Sequence, residues 1–301
     1  LAKYSFRVEQ RGELSGLRRL RAFTMPDVHA FCADMEQTKQ EMKTRLMLCK
    51  DVLSGAGLKI PEDLEMAMRV VKDLYNKDKD FFLEMLKIWG KPVLLEMWDE
   101  KIFYFIFKYD LNFVDALDKA SALSTDQLDV ENAERYDIKY DNENGTKSNP
   151  IILHCSPSGA IERFFMALLE KAGFDEAAGK KPSLPLWLSP VQARIIPVSN
   201  SNIDHCLKMS MENVRFDIDD SNETLGKKIA KAGIDWVPYL IVVGEKEIKS
   251  GKVAVTVRET GEKMEMTLKE LEKEIHEKTK EKPFAPLPVP KLLSKQPTFF
   301  G

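Results

Sequence analysis

Tyr4-Ser5-Phe6-Arg7-Val8-Glu9 opens the segment that decides the fold, and Thr24-Met25-Pro26-Asp27-Val28-His29 closes it. Apolar and polar residues alternate in the first stretch, which predicts a strand that turns Phe6 and Val8 into the core. The charged residues of this stretch then lie on the opposite face. A polar run that contains two glycines, 10–16, suits the loop that follows.

A returning strand at 20–24 completes the predicted hairpin, which carries five arginines. They are Arg7, Arg11, Arg18, Arg19 and Arg21. Guanidinium groups bind phosphate oxygens well, whereas the alternative interpretation is a solvated basic surface. The spacing alone leaves both interpretations open.

A second informative segment runs from Pro150 to Arg163. An apolar strand at 150–153 enters a turn rich in serine, proline and glycine, and a helix follows. The apolar residues of that helix mark one buried face: Ile161, Phe164, Phe165, Leu168 and Leu169. Arg163 therefore lies in the first helical turn, beside free backbone N–H groups that favour anions.

The bulk composition is that of a globular protein large enough for two domains, with 301 residues of which 44% are hydrophobic. The net charge of −3 and the pI near 6.0 give no global nucleic-acid signature, so an RNA contact must come from local patches. Four scattered cysteines without a CxxC pair predict reduced thiols in a cytoplasmic protein. With no signal peptide or membrane-length apolar run, we expect no membrane partner.

Between the two segments, apolar residues recur three times at helical spacing. The first set is Met42, Leu46, Cys49 and Leu53, the second Leu64, Met68, Val71 and Tyr75, and the third Phe82, Met85, Leu86 and Trp89. Apolar runs at 102–107 and 111–114 suit strands of a central antiparallel sheet. The stretches 135–140 and 150–153 flank a turn-forming segment and suggest a hairpin. The first domain is thus predicted to be α+β.

A polar run at 175–183 is the best domain boundary, which gives domains 1–174 and 184–301 with a linker between them. In the second domain, strands and helices are predicted to alternate in the order βαβαββα, as in an α/β layer with a mixed sheet. The proline-rich tail at 283–297 suits an extended strap.

The hairpin and the segment around Arg163 resemble motifs 2 and 3 of the class II aminoacyl-tRNA synthetases, and 12–29 resembles the archaeal type of threonyl-tRNA synthetase. The second domain resembles the anticodon-binding domain of the threonyl, prolyl, glycyl and histidyl enzymes. The resemblance implies an antiparallel-sheet catalytic core and a threonine–tRNA ligase, homodimeric in its full length. Since the chain opens at motif 2, we expect a fragment that is inactive alone.

The resemblance also implies roles in binding ATP, which magnesium normally accompanies. Arg7 would pair with the α-phosphate, Glu9 with the adenine amino group and Arg19 with the terminal phosphates. Arg163 would lie on the opposite face of the nucleotide, so Arg7 and Arg163 are the predicted catalytic residues. Arg11, Arg18 and Arg21 would instead touch tRNA or be solvated.

Two of the four histidines, His29 and His154, lie at the informative segments. Each could be a satisfied structural residue, but the resemblance implies that both bind a catalytic zinc whose cysteine ligand precedes residue 1. Zinc would take the amino and hydroxyl groups of threonine and so reject valine. Asp27 and Gln127 would lie in the same pocket, although an aspartate after proline also suits a turn and Gln127 could face solvent.

The partners implied are threonine, ATP and threonine tRNA, and no DNA. The candidates for reading the anticodon are Asn222, Glu223, Glu247, Lys252 and Arg258, with solvated surface as the alternative for each. Two other functions fit the residues less well. A noncatalytic tRNA-binding or regulatory paralogue is disfavoured because Arg7, Glu9 and Arg163 are intact, and a prolyl or glycyl ligase is disfavoured by the histidine pair.

Overall fold

The computed structural model describes residues 2–297, and the side chains from Tyr4 onwards. The chain divides into two compact units, the first ending at Phe174 and the second beginning at Asp175. None of the helices within residues 2–297 combines the length and apolar character that crossing a bilayer would need.

The first unit contains ten strands and most of five helices. The strands are β1 Ala2–Phe6, β2 Ala22–Met25, β3 Val28–Cys32, β4 Leu64–Val71, β5 Leu94–Trp98, β6 Phe105–Val114, β7 Ala120–Asp129, β8 Tyr140–Asp141, β9 Lys147–Ser148 and β10 Ile151–Ser156. The helices are α1 Met35–Gly55, α2 Lys72–Lys77, α3 Lys79–Trp89, α4 Asn132–Arg135 and α5 Ile161–Ala177.

A six-stranded sheet in the order β3-β10-β7-β6-β4-β5 forms the body of this unit, and β1 pairs with β2 in a separate hairpin. Neighbouring strands of the large sheet are antiparallel except β4 and β5. Asp34 caps α1 by accepting a hydrogen bond from the Gln37 amide. The helix then buries one stripe, which includes Met42, Leu46 and Leu53. The predicted α+β class with an antiparallel sheet is confirmed.

The helix predicted around Leu64, Met68, Val71 and Tyr75 is wrong, because residues 64–71 form β4. Burial in β4 alternates strictly, with Leu64, Met66, Met68 and Val70 inside. Apolar residues at 64, 68 and 71 fit the helical period, but those at 64, 66, 68 and 70 fit the strand period, and pairing with β6 and β5 selects the strand.

The hairpin prediction was right in its pairing and wrong in its burial. Strand β1 pairs antiparallel with β2, and Arg7 donates its amide hydrogen to the Arg21 carbonyl at 2.9 Å. However, Phe6 and Val8 are exposed, at 74% and 104% of their reference surface. The reason is that this two-stranded ribbon has no helix or second sheet packed on that face among the described residues.

Two further strand predictions need correction. Residues 105–114 form one continuous strand, β6, which includes the polar residues between the two predicted apolar runs. The expected hairpin of 135–140 with 150–153 does not form. Residues 132–135 form α4 instead, and β8 pairs with β9 in a short hairpin. The polar turn at 141–146 connects β8 to β9, and hydrogen bonds between Asn142 and Thr146 stabilise it.

The second unit has a mixed five-stranded sheet in the order β12-β11-β13-β14-β15. Its strands are β11 Ala193–Pro197, β12 Phe216–Ile218, β13 Tyr239–Val243, β14 Val253–Val257 and β15 Lys263–Met266, and its helices are α6 Ile203–Leu207, α7 Leu225–Ile234, α8 Glu245–Ser250 and α9 Leu268–Lys278. The mixed α/β prediction is confirmed, while α8 and β15 were missed. Tail residues lie against β12, where Ile218 donates its amide hydrogen to Lys291.

Candidate active site

A cavity of ≈400 Å³ lies in the first unit, over the face of the sheet opposite α1. Its lining comes from the β1–β2 hairpin, from β6, β7 and β10, and from the start of α5. The volume is that of a small-molecule site. Seven of the sequence-predicted residues line it: Arg7, Glu9, Arg19, Asp27, Gln127, His154 and Arg163.

The turn between β10 and α5 fixes where Arg163 points. Gly159 has a φ of +66°, and a Cβ there would come 1.8 Å from the Leu123 carbonyl oxygen. Only glycine therefore permits this approach of the turn to β7. Ser124 reinforces the turn by donating its hydroxyl hydrogen to the Pro157 carbonyl. The helix α5 then begins at Ile161, with Arg163 in its first turn as predicted.

Two contacts hold the hairpin onto the sheet. Both carboxylate oxygens of Glu162 accept from the Thr24 amide at 3.0 Å. The Ser156 hydroxyl donates to the Pro26 carbonyl at 2.7 Å. The β2–β3 segment that carries Asp27 and His29 is thereby fixed against β10 and α5.

Positive charge is concentrated at one end of the cavity. The Arg163 guanidinium donates to the backbone oxygens of Arg18 and Ala122, at 3.1 and 2.8 Å. Burial lowers the pKa of Arg163, and the nearby charges of Arg7 and Arg18 lower it further. Such a cluster of like charges favours an anion between them.

Glu9 lies on the same side of the cavity, with its side chain 8% exposed. Its carboxylate pairs with Arg19 at 2.8 Å, and its backbone oxygen accepts from Arg21 at 3.2 Å. The Arg7 guanidinium lies 5.3 Å from the centre of the Phe23 ring. Two residues predicted to bind different parts of ATP, Glu9 and Arg19, are thus paired with each other.

At the other end of the cavity, three predicted residues lie in one row across adjacent strands. His154 on β10 is the register partner of His29 on β3 and of Gln127 on β7. The two imidazole rings meet edge to face, with centroids 4.7 Å apart. Although His29 is partly exposed, burial lowers its pKa, and the His154 ring lowers it further. Two imidazoles facing each other are suited to binding a metal ion.

Asp129 determines which nitrogen of His154 is free. The His154 Nε2 atom lies 2.8 Å from Asp129 Oδ2. Burial opposes ionisation of Asp129, but backbone hydrogen bonds from Asn132 and Glu131 outweigh it and lower its pKa. A carboxylate only accepts, so Nε2–H donates to Asp129, and Nδ1 is the nitrogen left to contact a metal ion, as in histidines that bind metals. No cluster of three or more His, Cys, Asp or Glu side chains that could hold a metal ion occurs in the described part of the chain.

Sequence reasoning assigned no role to four polar residues of this region: Tyr104, Lys108, Asp110 and Asp129. Tyr104 donates its hydroxyl hydrogen to the Gln127 amide oxygen. Asp110 lies between Lys108 and Arg69, at 3.0 and 2.7 Å. The sequence does contain a signal for Asp129. Thr125, Gln127 and Asp129 alternate with other residues along a strand and therefore share one face of it.

In the second unit, four of the five residues proposed to read the anticodon lie at the same end of the sheet strands. Asn222 and Glu223 follow β12, and Glu247 follows β13. Lys252 precedes the antiparallel β14, so all four residues lie at the same end of the strands. Arg258 follows β14 and lies at the opposite end of that strand, roughly 17 Å from Lys252 along its five residues. Its guanidinium donates to the carbonyls of Pro182 and Gly233, at 3.1 and 2.7 Å.

Comparisons with known proteins match both units. A family profile described as the tRNA synthetase class II core domain (G, H, P, S and T) matches residues 2–172, and one described as an anticodon binding domain matches 192–278. A threonine–tRNA ligase from Pyrococcus horikoshii is 55% identical over 305 residues, and one from Methanosarcina acetivorans is 51% identical over 306.

These alignments cover 100% of this chain but 49% and 48% of the two relatives, so the chain spans about half the length of the curated relatives it matches. A solved structure described as the RNA binding domain of threonyl-tRNA synthetase from Cryptosporidium parvum superposes with a TM-score of 0.72 at 24% identity. The superposition covers 91% of this chain and 68% of that one, and it shows a common fold.

Proposed function

Because the chain belongs to the class II tRNA synthetases that share the core domain of the G, H, P, S and T enzymes, we propose that it forms the ATP-binding and tRNA-binding part of a threonine–tRNA ligase. The observation that carries the proposal is the cavity itself, with arginines at one end and Gln127 and His154 at the other. His29 does not line the cavity but contacts the His154 ring. We also expect the ligase to be dimeric and to act in the cytoplasm.

The arginine end of the cavity would bind ATP with its magnesium. Arg7 and Arg163 would hold the reacting phosphate, because their charges lie close enough to depress the pKa of Arg163. Glu9 would accept from the adenine amino group, and Arg19 would hold the terminal phosphates. Since Glu9 and Arg19 pair at 2.8 Å, nucleotide binding would exchange that ion pair for contacts with ATP.

The histidine end would bind threonine, with Asp27 and Gln127 beside it. His29 and His154 would hold a zinc ion together with a further ligand from outside residues 2–297, and the ion would supply a Lewis acid for selecting threonine by its hydroxyl. Tyr104 fixes the Gln127 amide, and Asp129 fixes the His154 ring. Both contacts leave the side chains preorganised.

The reaction would proceed in two displacements. The threonine carboxylate attacks the α-phosphorus of ATP, the bond to the bridging oxygen breaks, and pyrophosphate leaves. The terminal ribose hydroxyl of tRNA then attacks the carbonyl carbon of the adenylate, and AMP leaves. Positioning and charge stabilisation supply most of the catalysis in such steps.

Threonine-dependent ATP–pyrophosphate exchange by the longest natural gene product that contains residues 1–301 tests this proposal. We expect Arg163→Lys to lower the exchange rate by about 10²–10³-fold, because a lysine loses the paired donor geometry. Arg135→Lys is the matched control, since Arg135 is exposed and pairs only loosely with Glu131 at 3.9 Å. Equal rates for the two variants would reject the role of Arg163.

Amino acid selection tests the histidine end separately. His154→Ala should reduce exchange with threonine far more than exchange with valine, because the hydroxyl would lose its specific ligand. A protein with no exchange for any amino acid that still binds threonine tRNA would instead be the noncatalytic paralogue.

We further propose that the second unit reads the anticodon through the end of the sheet strands that carries Asn222, Glu223, Glu247 and Lys252. Anticodon bases are unstacked, so polar side chains can reach their edges. Lys252→Ala should weaken binding of threonine tRNA and reduce the salt slope by about one. Lys263→Ala is the control, because Lys263 pairs with Thr256 at the opposite end of the strands. Equal affinity for a tRNA with an altered anticodon would reject anticodon reading.

A further inference from the structure

Beneath the candidate active site, on the face of the sheet that packs against α1, two cysteine sulfurs lie in contact. Cys49 of α1 and Cys155 of β10 are both fully buried, and their Sγ atoms are 3.7 Å apart. The Tyr109 hydroxyl lies 3.8 Å from the Cys49 sulfur. The other two cysteines differ, because Cys32 bonds the Thr38 hydroxyl and Cys206 packs in the apolar core of the second unit.

The surroundings of the thiol pair are polar for a protein core. Arg45 pairs with Asp126 at 3.2 Å, and both side chains are almost fully buried. Asp126 is the register partner of Cys155, so this ion pair lies in the same layer as the sulfurs. The Cys49 sulfur therefore has two polar neighbours within 4 Å, the Cys155 sulfur and the Tyr109 hydroxyl.

We propose that Cys49 and Cys155 are a modification site, a dithiol that a small uncharged hydroperoxide converts reversibly to a disulfide. A disulfide bond is about 2.0 Å long, so the sulfurs must approach by roughly 1.7 Å. Burial excludes bulky or charged oxidants, and hydrogen peroxide is small enough to enter during local opening of the helix–sheet contact.

The chemistry is balanced with hydrogen peroxide as the only co-reactant. Cys49 first releases its thiol proton. Its sulfur then attacks one peroxide oxygen, the O–O bond breaks, and the departing hydroxide takes up the released proton to form water. Cys49 is now a sulfenic acid. The Cys155 sulfur attacks the Cys49 sulfur, the S–O bond breaks, and the departing hydroxide takes the thiol proton. In sum, two thiols are oxidised and one peroxide is reduced to two waters.

Oxidation would change the geometry of the candidate active site, because Cys155 follows His154 directly on β10. Drawing the Cys155 backbone towards α1 moves the neighbouring residue, and His154 bonds Asp129 and faces His29. A shift of β10 therefore changes the separation of the two imidazoles. The dithiol lies on the opposite face of the sheet and need not touch any ligand of the site.

Peptide mapping of the folded, reduced chain tests the proposal. After treatment with hydrogen peroxide and then an alkylating reagent, trypsin should release residues 46–50 joined to residues 148–163. Cys32 and Cys206 should remain available to alkylation after denaturation, and dithiothreitol should release the joined peptides. Oxidation of Met97, whose exposure is 45%, reports that the peroxide dose was sufficient.

Two variants and one spectroscopic measurement complete the test. Cys49→Ser should abolish the joined peptides, and Cys206→Ser should leave them unchanged. In spectra of the wild-type protein, peroxide should shift the histidine signals of His29 and His154 and leave those of His205 and His276 in place. Cysteines that stay fully alkylatable while Met97 is oxidised would overturn the proposal. Joined peptides spread over all four cysteines would also overturn it, because they indicate oxidation of unfolded chain.

Discussion

Gly159 allows a direct measurement of how tightly the turn before α5 packs on β7. A Cβ at this position would meet the Leu123 carbonyl oxygen at 1.8 Å, and φ is +66°. We expect Gly159→Ala to lower the free energy of unfolding of the first unit by ~3 kcal/mol or more, since both strain and a backbone clash result. Urea unfolding measures the change.

Gly145→Ala provides the matched control for this prediction. Gly145 also has a positive φ, +74°, but no atom lies within 4 Å of its Cβ position. Its substitution should cost only ~1–2 kcal/mol, which is the backbone strain alone. Equal losses at the two positions would mean that the turn moves away from β7 without cost.

The histidine pair predicts a specific dependence on pH. The pKa of His29 lies below its ordinary value of 6.5, because of burial and then of His154. Nuclear magnetic resonance should therefore give His29 a titration midpoint below 6.5, and His154→Ala should raise it. Asp27→Asn should lower it further, since the Asp27 charge favours the imidazolium. A midpoint unaffected by both substitutions would contradict this account.

The same shift affects stability, and its sign follows from linkage. Folding favours the neutral form of His29, so its contribution is complete above pH 6.5 and is lost as the pH falls through the lower folded pKa. We expect the urea midpoint of the first unit to fall in that acidic window, and the fall to be smaller in His29→Gln. An identical fall in both proteins would assign the effect to other groups.

At the scale of elements, local chemistry was predictable from the sequence and strand register was not. The turn before α5 and the first-turn position of Arg163 follow from neighbouring residues, so the sequence predicted both. Asp129 lies near His154 because β10 pairs with β7 in one register, and Tyr104 lies there because β6, which it precedes, pairs with β7. That register depends on contacts distant in the chain. The segment 64–71 fitted two periodicities, and only its neighbours in the sheet decided between them.

Glu162 links two elements, and removing its charge tests the link. Its carboxylate accepts from the Thr24 amide with both oxygens. Glu162→Gln should accelerate hydrogen exchange of that amide by roughly tenfold, because the charge-assisted bond becomes a neutral one. Glu170→Gln is the control, since Glu170 accepts from Ala116 instead. Unchanged exchange in Glu162→Gln would show that β1–β2 pairing alone protects Thr24.

At the scale of the whole molecule, the boundary between the units can be located by truncation. The sequence predicted a linker at 175–183, but Pro182 is buried and its carbonyl accepts from Arg258 at 3.1 Å. We expect residues 175–301 to fold alone and to exceed residues 184–301 in unfolding free energy by roughly 2 kcal/mol, the value of one hydrogen bond to a charged group. Thermal melting compares them, and equal stability would place 175–183 outside the folded unit.

The hydrogen bond between Glu162 and Thr24 can form only late in the synthesis of the first unit. The two residues are separated by 138 positions in the chain. A ribosome that adds about 5–20 residues per second needs roughly 7–28 s to synthesise that interval. Until then the arginine-rich hairpin has been made, but the helix that fixes it has not. The speed of translation therefore sets how long the hairpin stays accessible to chaperones and proteases.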